Sequence, residues 1–267
     1  MGYTRIGVFG ATGKMGSAII RAIGTTPGAL LAAAVEREGH PAIGQDAGVV
    51  VSGVSRGVPI TAGTPANKTD VWIDFSVPAA TLAAVRAAQA MNVAMVIGTT
   101  GLTADDREQL RAAAKQIPIV FSPNMSVGVN VMLKLVELAA KALGPDYDID
   151  VFEMHHKLKV DAPSGTALKL GEVAAAARAT TLERDGVFER HGHTGERRAG
   201  SIGFAVARGG DVVGDHTVYF AGTGERIEIT HRSNSRATYA QGAMRAAKFV
   251  ASKREGLYGM EDVLGLK

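Results

Sequence analysis

Apolar residues follow two alternating patterns over the first half of the chain. Short runs rich in Val, Ile and Phe are typical of strands buried on both faces, and they alternate with stretches in which apolar residues recur at helical spacing. The runs predict strands at residues 4–9, 29–35, 71–75, 93–97 and 117–121, and the stretches predict helices at 15–23, 79–91 and from about 103. Because strands that alternate with helices pair in parallel, we expect an α/β fold with a doubly wound parallel sheet.

The pattern changes after residue 126. Apolar residues surround the predicted helix at 129–143, including Leu135 and Leu138 on its second side, so we expect this helix to be buried between layers and to join two domains. A strand at 149–154 and a helix at 166–179 follow. Further strands at 201–208, 216–221 and 225–232 are separated by Gly-rich turns. The second domain is therefore predicted to be α+β, with a mixed sheet and helices.

The last helical pattern, at residues 238–252, is expected to return to the first sheet. We therefore assign residues 1–126 plus 237–267 to a first domain and residues 127–236 to a second domain. A length of 267 residues suits two domains of modest size.

Composition narrows the location and the possible partners. Lys and Arg number 29 and Asp and Glu 26, without a dense basic run, so nucleic acid is not an expected partner. The chain has no cysteine, which excludes disulfides, thiolate metal sites and cysteine nucleophiles and suits a reducing compartment. We find no export signal and no apolar run long enough to span a membrane, and we expect a cytoplasmic protein.

A glycine-rich segment, GATGKMG, joins the first predicted strand to the first predicted helix. Small residues there let backbone amides approach a pyrophosphate, as in Rossmann-like domains, although a glycine-rich stretch alone is equally compatible with a simple turn. Glu36 follows Gly16 by 20 residues, where a carboxylate accepts hydrogen bonds from an adenosine ribose. Arg37, helped by Lys14, is suited to a ribose 2′-phosphate, so NADH and NADPH both fit. The predicted cofactor contacts in the glycine segment are Gly10, Ala11, Thr12, Gly13, Lys14 and Met15.

Two further segments end predicted strands at the edge where open parallel sheets bind ligands. They are expected to line the nicotinamide, although their residue types also suit ordinary strand-to-helix turns. The residues are Gly98, Thr99 and Thr100 in one segment and Ser122, Pro123, Asn124 and Met125 in the other.

The densest set of reactive residues lies at 153–167, in the sequence EMHHKLKVDAPSGTA. His155 and His156 are adjacent at a strand end, so they should point to different sides and have different roles. A protonated imidazole and the Lys159 ammonium on one rim would attract a dianionic substrate and supply a proton. The segment 163–166 then opens a helix, which adds amides and a hydroxyl for a carboxylate. We expect no metal site, because the chain lacks cysteine and a helical histidine pair.

Five motifs together carry a resemblance to a known family. They are GATGKMG at 10–16, ERE at 36–38, GTTG at 98–101, SPNMSVGVN at 122–130 and EMHHKLKVDAPSGTA at 153–167. With these motifs the chain resembles the dihydrodipicolinate reductases over its whole length. The resemblance implies reduction of 4-hydroxy-tetrahydrodipicolinate to tetrahydrodipicolinate by NADPH or NADH, with loss of water, in the diaminopimelate route of lysine biosynthesis.

The resemblance also implies roles for individual residues. His155 matches the family's proton donor and acceptor and Lys159 its proton donor, while His156, Gly165 and Thr166 match residues that bind the substrate carboxylates. It further implies that the first domain, residues 1–126 plus 237–267, is the dinucleotide-binding domain. The second domain, residues 127–236, is then the substrate-binding and oligomerisation domain, which assembles a homotetramer through its sheet. Lys14 stands where Arg is common and Met125 where an aromatic residue is common, so cofactor preference and nicotinamide packing stay open.

Two other functions remain as alternatives. An amino-acid dehydrogenase of aspartate type would share the nucleotide domain, and a non-enzymatic redox sensor would bind the dinucleotide and report it to a partner. Aspartate-dependent reduction of NAD(P)⁺ would support the first alternative. Function that survives Lys159→Ala would support the second. Closure of the two domains around the reactants is a further expectation, because hydride transfer requires the exclusion of water.

Overall fold

The structure is a computed structural model that describes residues 2–64, 69–235 and 237–267. The chain divides into two compact units, one formed by Met1–Val127 with Arg236–Lys267 and the other by Gly128–Ser235. Within the described residues, no helix combines the length and the apolar character needed to cross a lipid bilayer.

The described residues form twelve strands and nine α-helices. The strands are β1 Thr4–Phe9, β2 Ala29–Val35, β3 Ile60–Thr61, β4 Val71–Asp74, β5 Ala94–Ile97, β6 Pro118–Phe121, β7 Asp148–His155, β8 Gly186–Val187, β9 Ile202–Arg208, β10 Gly214–Ala221, β11 Arg226–Ser233 and β12 Gly256–Tyr258. The helices are α1 Lys14–Thr25, α2 Ala47–Ser52, α3 Pro78–Met91, α4 Ala104–Ala113, α5 Val127–Leu143, α6 Gly165–Ala177, α7 Leu182–Asp185, α8 Ala237–Val250 and α9 Met260–Leu264.

The first unit is built on a seven-stranded sheet with the order β12-β6-β5-β4-β1-β2-β3. All of its strand pairings are parallel. The chain runs outward from β1 to β3, returns to the centre at β4 and runs outward again on the other side. This confirms the predicted doubly wound parallel sheet, and the strand order reverses between β1 and β4, where such sheets bind ligands.

Apolar side chains cover both faces of this sheet. On β4, Val71 and Ile73 pack into a core with α1 and α8, whereas Trp72 between them packs into a second core with α3 and α4. Successive strand residues point to opposite faces, so an apolar run buried on both sides is what a covered parallel sheet requires. The helix predicted at 238–252 is α8, which packs against α1 in the first unit.

Several short elements are absent from the sequence-based prediction. The first unit also contains α2, β3, β12 and α9, and the second contains α7 and β8, each of two to six residues. Segments of this length show too few turns or alternations to produce a recognisable period. The three strands among them, β3, β8 and β12, lie at sheet edges, so the predicted centre of each sheet is unchanged.

The second unit contains a five-stranded sheet with the order β11-β10-β7-β9-β8. Strand β7 pairs in parallel with β9, which pairs in parallel with β8, whereas β10 is antiparallel to both β7 and β11. The predicted mixed sheet is confirmed. Apolar residues of β7, β9 and β10 form one core with α5 and α6.

Helix α5 differs from the expectation of a helix buried on all sides. One face packs into the core of the second unit through Met132, Val136 and Ala140. On the opposite side, Leu135 is 46% exposed and Leu138 is 63% exposed. Apolar residues on both sides of a helix led to the prediction that both sides are buried. The prediction failed because a sheet covers only one face of α5.

The packing of α8 in the first unit depends on a residue without a side chain. A Cβ atom at Gly242 would lie 1.7 Å from the backbone oxygen of Met125, which is fully buried in the first core. Such a separation requires the backbone of one segment to move. Gly242 therefore permits the close approach of α8 to the segment that follows β6.

We expect Gly242→Ala to lower the free energy of unfolding by about 1–3 kcal/mol, because overpacking outweighs the helix propensity gained from alanine. Urea denaturation monitored by circular dichroism measures this change. Gly165→Ala is the matched control, because a Cβ at this first residue of α6 meets nothing within 4 Å. Equal denaturation midpoints for Gly242→Ala and the unsubstituted protein would contradict the contact.

Candidate active site

The loop between β1 and α1 forms a cradle for an anion. Gly10 has a φ of +63°, a conformation that favours glycine, and a Cβ at Gly16 would lie 2.0 Å from the Gly10 oxygen. Gly13 caps α1 without a side-chain hydrogen bond, and the first turn carries no acidic residue. The first amides of the helix can therefore meet a pyrophosphate, and the residues present fit a dinucleotide.

Glu36 ties this loop to the end of β2. Its Oε1 accepts hydrogen bonds from the Thr12 amide at 3.0 Å and the Thr12 hydroxyl at 2.8 Å, and its Oε2 accepts from the Arg37 amide at 3.1 Å. Partial burial raises the pKa of Glu36, but these hydrogen bonds outweigh it and the net pKa is lowered. The carboxylate is therefore charged at neutral pH and available as an acceptor for a ribose.

His40 extends the same network and was not predicted. Its Nδ1 accepts a hydrogen bond from the Ala42 amide at 3.2 Å, and its Nε2 lies 3.2 Å from the Thr12 hydroxyl. With Nδ1 as acceptor, Nε2 of the neutral ring carries the hydrogen and donates to Thr12. The Thr12 hydroxyl then donates to Glu36.

The other predicted contacts of the glycine segment and β2 differ in exposure. Lys14 and Arg37 are exposed, Met15 is half-buried, and Ala11 is buried in the first core. The charged groups of Lys14 and Arg37 can thus meet a solvent-facing phosphate, whereas the amide of the buried Ala11 donates to the Val35 oxygen at 3.1 Å.

The segment after β5 rests on a buried carboxylate that the sequence did not reveal. Asp74, at the end of β4, is fully buried, and its Oδ2 lies 2.5 Å from the Thr81 hydroxyl and 3.3 Å from the Thr99 hydroxyl. Burial raises the pKa of Asp74 despite these hydrogen bonds. The Thr99 side chain therefore points into the interior. Gly98 is also buried, so Thr100 is the exposed residue of the predicted segment 98–100.

The segment after β6 lies at the same edge, because parallel strands bring their carboxyl ends together. The Ser122 hydroxyl donates to the Asn124 backbone oxygen at 2.8 Å, and Pro123 is exposed. Met125 is fully buried in the first core, so its side chain packs inside the unit. Contact between this segment and a nicotinamide remains a prediction.

In the second unit, the reactive segment is organised around Glu153 on β7. This side chain is fully buried. It lies 2.5 Å from Nδ1 of His155, and it accepts two hydrogen bonds of 2.9 Å from Arg208 and one of 3.0 Å from the Ser164 amide. Burial raises the pKa of Glu153, but the hydrogen bonds, above all that from Arg208, lower the net pKa. Glu153 is therefore ionised and saturated with donors.

His216 on β10 packs beside this cluster. It is 4% exposed, its ring meets that of His155 edge-on at 5.1 Å, and its Nε2 lies 3.0 Å from the Ser164 hydroxyl. The same hydroxyl accepts a hydrogen bond of 3.1 Å from the Ala167 amide and so caps α6. Burial lowers the pKa of His216 to about 4, and the ring is neutral at pH 7.

The predicted substrate-binding residues lie around this cluster. Lys159 Nζ contacts both oxygens of Asp161, at 2.7 and 2.8 Å. His156 is half-buried, and its amide donates to the Val212 oxygen at 2.7 Å. Gly165 is exposed at the first position of α6, and Thr166 is half-buried in the same turn.

The second unit thus gathers an imidazole, an ammonium and a helix N-terminus at the carboxyl end of β7. Sequence analysis assigned no role to Glu153, Arg208 or His216. Glu153 stands in the quoted motif, two residues before His155, and this strand spacing places both side chains on one face. Arg208 and His216 reach the site through strand pairing and carried no local signal. In the described part of the chain, no three His, Asp or Glu side chains are grouped as metal ligands would be.

Two family models cover nearly the whole chain. The model described as dihydrodipicolinate reductase, N-terminus matches residues 4–125, and that described as dihydrodipicolinate reductase, C-terminus matches residues 128–264. The chain belongs to the dihydrodipicolinate reductase family. The resemblance inferred from the motifs is confirmed.

Individual relatives agree with this membership. A 4-hydroxy-tetrahydrodipicolinate reductase of Nitrosospira multiformis is 53% identical over 269 residues and covers 100% of both chains. The dipicolinate-bound dihydrodipicolinate reductase of Paenisporosarcina sp. TG-14 has a TM-score of 0.79 at 25% identity, covering 97% of this chain and 99% of that one. An aspartate dehydrogenase of Thermotoga maritima, at 12% identity and a TM-score of 0.50, covers 94% and 98% and shares the fold alone.

The lowered pKa of His216 makes the stability of this family member depend on pH. His216 binds a proton near pH 6.5 in the unfolded chain but only near pH 4 in the folded chain. The neutral ring therefore contributes fully to the unfolding free energy above about pH 6.5, and this contribution is lost as pH falls toward 4. We expect the difference in unfolding free energy between the unsubstituted protein and His216→Gln to shrink by about 3 kcal/mol over this interval. Denaturation at several pH values measures it.

The neighbouring charges that act on His216 are His155, Glu153, His231 and Lys159, and all of them are retained in His216→Gln. The exposed His193 supplies the matched control, since His193→Gln should leave the pH dependence unchanged. A pH-independent difference for His216→Gln would show that the folded ring titrates as it does in the unfolded chain.

Proposed function

We propose that this protein reduces 4-hydroxy-tetrahydrodipicolinate to tetrahydrodipicolinate with a nicotinamide dinucleotide, in the diaminopimelate route of lysine biosynthesis. The observation that carries this proposal is the grouping of His155 and Lys159 with the N-terminus of α6. A proton donor, an ammonium and the positive end of a helix suit a cyclic dicarboxylate whose reduction consumes a proton. Full-length relatives carry the name of this reductase, and one structural relative is described with dipicolinate bound.

The residues of the second unit divide the work between binding and proton transfer. His156, Gly165 and Thr166 bind the substrate carboxylates, with the positive end of the α6 dipole as a further attraction. Loss of the 4-hydroxyl group as water leaves a conjugated imine. A reduced nicotinamide, when bound, supplies the hydride for the ring carbon that carried the hydroxyl. His155 and Lys159 provide the proton that neutralises the resulting electron density.

The first unit holds the dinucleotide. The loop Gly10–Met15 would hold the pyrophosphate against the amides that open α1, and Glu36 would accept hydrogen bonds from the adenosine ribose. The segments at 98–100 and 122–125 would lie toward the nicotinamide. The exposed Arg37 and Lys14 are placed for a ribose 2′-phosphate, and a carboxylate at Glu36 also suits the free 2′-hydroxyl. We propose that the protein uses both NADPH and NADH.

Assembly into a homotetramer through the second sheet, and a cytoplasmic location, are further parts of the proposal. Exposed Val206 on β9 and Ile227 on β11 supply apolar surface on that sheet. The assembly rests on the resemblance to the family, and the location rests on the cysteine-free composition.

The test is the loss of reduced-nicotinamide absorbance with substrate freshly made from pyruvate and aspartate semialdehyde, with NADPH and NADH run in parallel. Oxidation that requires the substrate supports the reductase. Absence of oxidation with either cofactor, in a protein that binds dinucleotide tightly, would overturn the proposal. Aspartate-dependent reduction of NAD(P)⁺ would identify the amino-acid dehydrogenase instead.

We expect His155→Ala and Lys159→Ala each to lower kcat by about 10²-fold or more, since general acid catalysis commonly contributes 10² to 10⁴. Dinucleotide affinity should stay near that of the unsubstituted protein, because both residues belong to the second unit. Fluorescence titration with NADPH measures the affinity. A comparable loss of NADPH binding in both variants would refute this division of labour.

Replacement of Arg37 tests the proposed phosphate contact. We expect Arg37→Ala to weaken NADPH binding by about 1–3 kcal/mol while NADH binding changes little, because only NADPH carries the 2′-phosphate. Isothermal titration with each dinucleotide measures the two changes. The exposed Arg107 on α4 provides the control, as Arg107→Ala should affect neither cofactor. Equal weakening of both cofactors in Arg37→Ala would remove Arg37 from this role.

A further inference from the structure

Glu153 contacts two parts of the proposed site at once. Alternate residues of a strand share a face, so Glu153 and His155 lie side by side on β7, with 2.5 Å between Oε2 and Nδ1. The other carboxylate oxygen, Oε1, accepts the hydrogen bond from the Ser164 amide at 3.0 Å. One buried side chain therefore connects the proton donor to the start of α6.

Arg208 keeps this carboxylate ionised. Strand β9 pairs in parallel with β7 and places Arg208 opposite His155. Its guanidinium donates one hydrogen bond of 2.9 Å to each carboxylate oxygen of Glu153, and a third of 2.7 Å to the Asp161 backbone oxygen. A bidentate guanidinium contact fixes the plane of the carboxylate as well as its charge.

An ionised carboxylate only accepts hydrogen bonds, so Nδ1 of His155 must carry the hydrogen between them. The neutral ring is then the Nδ1–H tautomer, and Nε2 is the nitrogen left for proton exchange. A carboxylate that orients a histidine in this way fixes both the tautomer and the direction of the ring.

Ser164 is held from two sides. Its amide donates to Glu153, and its hydroxyl lies 3.0 Å from His216 Nε2 and caps α6 by accepting from the Ala167 amide. The residues that follow, Gly165 and Thr166, are the proposed carboxylate contacts. Their place relative to His155 therefore depends on Glu153.

We propose that Glu153, clamped by Arg208, is a positioning residue that holds His155 as the Nδ1–H tautomer and fixes the N-terminus of α6 in register with it. This inference rests on the proposed function. Glu153 acts through His155 on proton transfer and through Ser164 on carboxylate binding, without contact with the reacting atoms.

The test is Glu153→Gln. At the Oε1 position, the NH₂ group of the new amide would face two other donors, the Ser164 amide and Arg208. At the Oε2 position it would face one obligatory donor, Arg208, and also the His155 ring. We therefore expect the NH₂ group to take the Oε2 position and face His155. There it donates to Nδ1 and reverses the tautomer to Nε2–H. We expect kcat to fall about 10- to 100-fold and KM for the dicarboxylate to rise several-fold, with unchanged dinucleotide affinity.

The tautomer is read from the ¹⁵N chemical shifts of the His155 ring, assigned by comparison with His155→Ala. Nδ1–H is expected in the unsubstituted protein and Nε2–H in Glu153→Gln. An Nε2–H ring in the unsubstituted protein would overturn the proposal, whether or not the variant folds. A folded Glu153→Gln protein with unchanged tautomer and kcat would also overturn it.

A double substitution separates the effect of Glu153 on proton transfer from its effect on carboxylate binding. Because Glu153 acts on proton transfer through His155, Glu153→Gln should lower kcat little further in a His155→Ala background. Multiplicative losses would contradict that route. Glu172→Gln is the matched control, since Glu172 is an exposed carboxylate of α6 paired with Lys169 at 3.1 Å, and it should change neither kcat nor the tautomer.

Dipicolinate, a planar dicarboxylate, provides a readout besides activity. Its dissociation constant, from isothermal titration, should rise several-fold in Glu153→Gln and stay unchanged in Glu172→Gln. If the unsubstituted protein lacks reductase activity yet shows these binding and tautomer changes, the proposed function fails and the positioning role stands. Reductase activity with equal dipicolinate affinity in both variants would remove Glu153 from the positioning of α6.

Discussion

A carboxylate taken out of water must be surrounded by hydrogen-bond donors, and this requirement shapes the candidate site of each unit. Glu36, Asp74 and Glu153 each stand at or near the carboxyl end of a strand, and each is buried or half-buried. An unpaired buried charge costs several kcal/mol, so the neighbouring loops must supply hydrogen bonds. Three of the donors, Thr12, Thr99 and Ser164, lie in or directly before segments that are proposed to bind ligands.

This arrangement orders the loops before a ligand arrives. Glu36 binds the Thr12 amide and hydroxyl and so closes the glycine loop onto β2. Asp74 draws Thr99 into the interior, which leaves Thr100 exposed beyond it. Glu153 accepts a hydrogen bond from the Ser164 amide and so fixes the start of α6. Loops fixed in this way lose little further conformational entropy when they bind a ligand, since their backbone is already restrained.

The sequence predicted the central strands and helices of the fold better than the short elements at its edges. It also predicted the motifs at strand ends better than the buried residues that hold those motifs in place. The apolar run of β1 spans six residues and is recognisable as a buried strand, whereas β3 has two residues and forms no recognisable run. The segment around His155 carried its own motif. Arg208, 55 residues beyond Glu153, reaches it because β9 pairs with β7, and no local pattern encodes that pairing. The exposure of Leu138 likewise follows from which layers exist, which periodicity alone does not determine.

The pairing of Lys159 and Arg208 with carboxylates affects how the second unit would bind a dianion. Arg208 is neutralised by Glu153, and Lys159 is paired with Asp161, whose side chain is 57% exposed. Because water solvates the Asp161 carboxylate, a substrate carboxylate can replace it at Lys159 at a lower cost than it could replace a buried partner. Displacing the fully buried Glu153 from Arg208 would instead leave a buried charge unpaired. Lys159 and Arg208 are similarly exposed, at 19% and 20%, so the two cations differ in the burial of their carboxylate partners. Lys159 is therefore available to the proposed substrate, whereas Arg208 is committed to the framework that holds His155.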